Sequence, residues 1–138
     1  MPDFILHHHD PSPFAEKIRL VFGLKDIHWG SVQIPMIMPK PDLTALTGGY
    51  RKTPVVQCGA DVYIDSLLIA QEIDARVPSP SRFPHVPRGM TLARGRWSDK
   101  AFFEPGAALS MGENPRVPDA VIEDRKNFFN FMDFNKLA

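Results

Sequence analysis

Along the first eighty residues the spacing of apolar positions changes several times, and each change predicts an element. The apolar run Phe4-Ile5-Leu6, closed by Asp10-Pro11, predicts a buried strand over 3–8. Pro11-Ser12-Pro13-Phe14 then opens a helix. Ser12 is a preferred N-cap residue, and Pro13 at the first helical position lacks an N–H that would have no partner there anyway. Phe14, Ile18, Val21 and Phe22 form its apolar stripe, and Glu16, Lys17 and Arg19 read as its solvated face. A second strand fits Ile27 to Ile34, after a stop at Gly23 or Lys25-Asp26. Three prolines in 35–41 exclude regular structure there, and Asp42 is expected to cap a short helix through Leu46, closed by Gly48-Gly49.

Thr53 to Cys58 reads as a strand led in by Pro54, and Val62-Tyr63-Ile64 pairs back on it across the turn Gly59-Ala60-Asp61. Asp65-Ser66 opens a helix with the stripe Ile69, Ile73, Val77, and the proline-rich stretch 78–84 reads as a linker. This order of elements, βαβ followed by ββα, predicts a mixed α/β sheet with helices packed on it. Beyond the linker the pattern predicts one helix over Thr91 to Phe103, breaks at Pro105-Gly106, Asn114-Pro115 and Val117-Pro118, and a last helix capped by Asp119. The expected domains are therefore 1–84 and a partial all-α segment, 85–138.

The chain of 138 residues carries 16 Lys plus Arg against 16 Asp plus Glu, so it offers no basic field for nucleic acid or an anionic membrane. No apolar run approaches the ~20 residues of a membrane span, and the start does not read as a secretory signal. Cys58 is the single cysteine, which excludes an internal disulfide and fits a reducing, cytoplasmic compartment; it reads as a small buried hydrophobe. His7-His8-His9 are poor metal ligands, because neighbours on a strand point to opposite faces, and no metal is expected. Glu123 and Asp124 read as a solvated helix face rather than an acid/base pair.

Three segments carry a resemblance. Ser12-Pro13-Phe14-Ala15-Glu16-Lys17-Ile18-Arg19 looks like the active-site turn and first helix of the glutathione transferases, where omega-type members carry Cys-Pro-Phe and others carry serine. Arg51-Lys52-Thr53-Pro54-Val55-Val56 is similar to the family's Gly-Lys-Val-Pro-Val-Leu segment, whose proline is cis. Asp65-Ser66 before a helix matches the acid–serine pair that holds the γ-glutamyl end of glutathione. Each is also read as an ordinary cap or a proline leading into a strand. Together, in order and at the expected spacing, they resemble the family's thioredoxin-like N-terminal domain.

The resemblance implies glutathione as co-substrate, bound by Ser12, Phe14, Lys52, Thr53, Pro54, Asp65 and Ser66. The physical chemistry agrees. A helix N-terminus with Ser66 suits the α-carboxylate, and Asp65 suits the ammonium. The Thr53 backbone can pair with the cysteinyl peptide as an added strand, and Lys52 or Arg51 can meet the glycine carboxylate. Ser12 is the implied catalytic residue. Its oxygen caps the helix while its proton is available to a thiolate whose free thiol has pKa ~8.5. With Ser in place of Cys, a mixed disulfide at position 12 is excluded.

The implied function is a detoxifying glutathione transferase that joins glutathione to a small electrophile. The alternatives are a non-catalytic glutathione-binding or regulatory module, and a structural subunit of a longer partner. Six of the ten phenylalanines, Phe102, Phe103, Phe128, Phe129, Phe131 and Phe134, fall in a segment too short to enclose them. With the family's two-fold assembly in view, a homodimer, or chain–chain contacts through 97–134, is expected; the alternative is a compact monomer whose rings pack back on the sheet of the first domain.

Overall fold

The structure is a computed structural model that describes residues 3–81, 86–112 and 116–128. The chain divides into two units, 1–85 and 86–138. In the first, β1 (Phe4–His8), α1 (Pro13–Leu24), β2 (Trp29–Gln33), α2 (Pro41–Thr47), β3 (Val55–Cys58), β4 (Asp61–Ile64) and α3 (Ser66–Arg76) follow the expected order. The sheet runs β2-β1-β3-β4, with β1 parallel to β2 and the two other pairings antiparallel. It is the mixed α/β sheet that the pattern predicts and the thioredoxin-like architecture that the resemblance implies.

Alternation on β1 buries Phe4, Leu6 and His8 on one face and leaves Ile5 and His7 half-buried on the other. Phe4 and Leu6 meet Ile18 and Phe22 of α1, Val56 of β3, and Ile69, Ala70 and Ile73 of α3 in one core. Phe22 sits at the centre, 5.5 Å from the rings of both Phe4 and Trp29. Lys25, just past α1, is also buried. Its ammonium reaches Asp74 Oδ1 at 2.7 Å and donates to the carbonyls of Val77 at 2.6 Å and Pro80 at 2.7 Å. Three donors meet three acceptors, which is what a buried ammonium requires.

Two local expectations change. α2 begins two residues earlier than a cap at Asp42 allows: Lys40 is the N-cap, without a side-chain cap bond, and Pro41 occupies the first turn. Gly48 closes it at φ 66, a left-handed conformation natural to glycine. Cys58 is half-buried at the rim of the core rather than inside it.

In the second unit, α4 (Arg88–Trp97) runs through a wide π-turn over Ser98–Phe102 into α5 (Phe103–Gly112), and α6 (Asp119–Phe128) follows. The expected break at Pro105 is absent, because the widened turn precedes it. A proline cannot bond to the carbonyl four residues back, and the π-turn lies where that bond would form. Asp119 is the first residue of α6 rather than its cap. Asp124 is mostly buried and lies 3.8 Å from Arg125, whereas Glu123 is exposed near Lys126, so the two carboxylates do not share a solvated face. Among the described residues, Ala107 and Ala108 form the unit's buried cluster, packed by Phe103 and Met111. Phe129, Phe131, Phe134, Asn114-Pro115 and the end of the linker lie outside the described residues, as does the Phe128 side chain.

Candidate functional site

The sheet register gathers the three motif segments. His7 of β1 pairs with Val55 of β3, and Val55 pairs with Ile64 of β4. The end of β1, the start of β3 and the end of β4 therefore meet at one edge. Ser12 lies four residues past the end of β1, Thr53-Pro54 directly before β3, and Asp65-Ser66 directly after β4. Two helices, α1 and α3, begin at that same edge, so two positive dipole ends lie beside it.

Ser12 is the N-cap of α1, as expected. Its Oγ accepts from Ala15 N at 3.2 Å, and the residue is 5% exposed. Pro13 occupies the first helical turn. Phe14 is half-buried, with Lys17 Nζ 5.4 Å from its ring centre. The Thr53–Pro54 bond is cis, as the resemblance implied. Thr53 Oγ1 donates to the His7 carbonyl at 3.0 Å, which ties the segment before β3 to the end of β1. Pro54 is buried and Lys52 exposed, while Arg51 is half-buried, its carbonyl accepting from Lys40 Nζ at 3.2 Å.

Asp65 is the N-cap of α3, its Oδ1 accepting from Leu67 N at 2.9 Å and Leu68 N at 3.1 Å. Its backbone sits at φ 72 and ψ 115, a region that a side chain makes costly, by about 1–3 kcal/mol. Ser66, 6% exposed, is the first residue of α3. Neither the left-handed backbone nor the neighbour it faces was legible in the sequence. Burial, and secondarily the Asp65 carboxylate, push the Tyr50 hydroxyl above its usual pKa. Tyr50 therefore belongs to the surroundings of Asp65, and no motif pointed to it.

The histidines at the end of β1 are more than the close of a strand. His8 is 2% exposed and packs edge-on to Trp29 at 5.6 Å. Arg19 Nη1 lies 2.8 Å from His8 Nδ1, and Ser31 Oγ lies 2.8 Å from His8 Nε2. A guanidinium can only donate, so Nδ1 accepts and the proton sits on Nε2, facing Ser31. Burial first, then Arg19, lowers the His8 pKa; the Asp10 carboxylate opposes them and His7 adds to the lowering. Arg19 also reaches the Asp10 carbonyl at 3.0 Å and Glu16 Oε2 at 2.6 Å. The expectation that Arg19 is simply solvated is thus corrected. Two outward positions of α1 are apolar: Leu20 is 63% and Leu24 59% exposed beside Pro13, Glu16, Lys17 and Val21. That shallow apolar depression is separate from the serines.

No three of His, Cys, Asp or Glu gather as a metal set among the described residues, and no helix there is long and apolar enough to cross a membrane.

Comparison with known proteins agrees with this geometry. The sequence profile of the glutathione S-transferase N-terminal domain matches residues 6–81. A GST-like protein from Pseudomonas syringae is 44% identical, with a TM-score of 0.69 over 92% of this chain and 46% of its own. A tau-class glutathione S-transferase from mango, Mangifera indica, superposes with a TM-score of 0.69 at 19% identity, over 92% of this chain and 59% of its own. A theta-class enzyme from the citrus canker pathogen Xanthomonas axonopodis pv. citri, solved with glutathione bound, gives 0.69 at 20% identity, over 93% and 65%. This chain thus spans about half to two thirds of the length of these proteins. No curated protein matches it. With the N-terminal profile covering β1 through α3 and the fold shared along almost the whole chain, this protein belongs to the glutathione S-transferase family.

Proposed function

We propose that the chain binds glutathione at the sheet edge built by residues 12–14, 52–54 and 65–66, and activates its thiol for attack on a small electrophile. The observation that carries this reading is the register His7–Val55–Ile64, which brings three motif segments and two helix starts to one edge. In this reading the α-carboxylate lies at the start of α3 with Ser66, and its ammonium meets the oxygen of Asp65 that the cap leaves over. The Thr53 backbone pairs with the cysteinyl peptide, Pro54 and Phe14 flank it, and Lys52 holds the glycine carboxylate. Ser12 donates to the sulfur while its oxygen continues to accept from Ala15. The hydrogen bond and the α1 dipole favour the thiolate over the thiol. A carbon–sulfur bond forms, the electrophile's leaving group departs with its electron pair, and the thiol proton goes to solvent.

The domains follow as a glutathione-binding unit over 1–84 and a partial helical unit over 85–138. We place the protein in the cytoplasm, in a detoxifying role, as a homodimer through 97–134. Trp97 at 60% and Phe102 at 62% exposure, with rings 5.5 Å apart, support that assembly surface.

Calorimetric titration with glutathione and turnover of a generic aryl halide test the proposal. Saturable binding with turnover, and a Ser12→Ala protein that loses turnover more than affinity, are expected. Removing the cap costs ~1 kcal/mol, so folding is followed in parallel. Binding without turnover would identify the non-catalytic glutathione-binding module. No binding at all would remove the proposal.

A further inference from the structure

We propose that Arg19 is the positioning residue of the β1–α1 loop, fixing through His8 and the Asp10 carbonyl where the Ser12 hydroxyl stands. The inference rests on the reading of Ser12 given above. One guanidinium makes three bonds to three different places. It donates to Nδ1 of buried His8 at 2.8 Å, to the Asp10 carbonyl at 3.0 Å, and to Glu16 of its own helix at 2.6 Å. The first is the end of a central strand, the second is the loop that delivers Ser12, and the third is the helix that Ser12 caps.

Other bonds hold the loop as well. Ser12 N donates to the His9 carbonyl at 3.2 Å, and the Asp10 carboxylate accepts from Gln33 Nε2 at 3.1 Å. His8 is itself anchored from β2. Its Nε2 faces Ser31 Oγ at 2.8 Å, and its carbonyl accepts from Ile34 N at 2.8 Å. Gln33 Nε2 lies 3.4 Å from His8 Nε2, a poor donor–donor approach beside its better bond to Asp10. Loop position is thereby referred to β1 and β2 rather than to the helix alone. A lysine at 19 keeps the charge but has one nitrogen. All its donors sit at that one point, so it cannot span the separation between the ring nitrogen and the carbonyl as the two ends of a planar fork do.

The groups facing His8 are Arg19 from α1, Asp10 from the loop, His7 on its own strand, and uncharged Ser31, Gln33 and Trp29 from β2. A proton added at Nδ1 would point at the guanidinium and break the bond. The arrangement therefore holds only while His8 is neutral.

The test compares Arg19→Gln and Arg19→Lys with the unaltered protein in two assays. In the first, without ligand, amide hydrogen exchange is followed at Ser12 and Ala15, with Leu67 and Leu68 of the α3 cap as internal controls. Exchange at Ser12 and Ala15 is expected to rise about tenfold or more in both variants while the controls hold. Unchanged exchange at Ser12 and Ala15 in folded variants would overturn the proposal, whatever glutathione does. A rise spread equally over the controls would do the same, by marking a general loss of stability.

In the second, kcat with glutathione and an aryl halide is expected to fall about tenfold to a hundredfold, as for a displaced reacting group. The glutathione dissociation constant should stay within about twofold, because α3 and Thr53 are untouched. The ionisation midpoint of the bound thiol, read by thiolate absorbance against pH, should move up in both variants. Full recovery by Arg19→Lys would overturn the proposal in favour of a purely electrostatic role. Failure of the unaltered protein to bind glutathione would strike the reading of Ser12 as thiol activator, and the exchange assay would still decide the role of Arg19.

Discussion

The two units use apolar residues in opposite ways. In residues 3–81, Phe22, Leu6, Ile18, Leu43, Ile69, Ile73, Val55 and Val56 are fully enclosed, and the buried Lys25, His8 and Ser12 each have named partners. Among the described residues of 86–128, the buried apolar side chains are two alanines, while Met90, Trp97, Phe102 and Leu109 are exposed. Helices of about ten residues are marginal in water without a packed face, so α4, α5 and α6 are helices waiting on burial. The first unit carries its own core. The second presents an apolar surface, as an assembly interface does.

Substitutions at four sites and one titration sharpen or break this contrast. Phe22→Ala removes the ring at the centre of the core and should cost about 3–5 kcal/mol in chemical denaturation. A loss under 1 kcal/mol would mean that the first unit is not the tightly packed one. Lys25→Ala leaves Asp74 and two carbonyls without their donor and should cost roughly 3 kcal/mol, in the range for breaking a buried pair. Little change there would show that water replaces the ammonium.

Acid comes next. His8 has its pKa lowered from 6.5 in the folded protein, so the unfolded chain takes its proton first as pH falls. Its contribution is therefore fully present above 6.5 and declines as pH drops from there toward the lowered value. Denaturant midpoints measured across that window should fall with acid, and His8→Gln should flatten the dependence. A midpoint that rises with acid would reverse the sign argued here. Asp65→Ala keeps the strained φ and loses the cap, so it should cost ~1 kcal/mol, whereas Asp65→Gly, which relieves φ, should cost only a few tenths. Equal losses would mean that strain at 65 is negligible. Smallest of all, Trp97→Ala should change folding stability within about 0.5 kcal/mol while weakening self-association in light scattering.

What the sequence made legible follows from what is local. Period-two and helical spacing, Ser12 before Pro13, and Gly48 after α2 are decided by neighbours along the chain, and those elements stand where the pattern put them. Pro105 misled because proline's usual effect was cancelled by a widened turn that no residue type announces. Arg19 misled for another reason. Long side chains with apolar stems carry their polar ends well away from their own backbone, so a position on the polar side of a helix can still end in a buried contact. The positive φ of Asp65 was hidden because aspartate tolerates that conformation without requiring it. The motif residues of the proposed site were legible, but the groups that hold them in place were not.

The clamp at Lys25 also bears on where this protein tolerates being cut. Two of the three acceptors around its ammonium, the carbonyls of Val77 and Pro80, belong to the strap beyond α3 rather than to the helix itself. A shortened chain that stops at Arg76 would keep every helix and strand of the first unit, yet leave a buried cation with Asp74 alone. One that stops after Ser81 would retain all three. Five residues without regular structure thus separate a fragment with an intact core from one with a hole of charge in its flank.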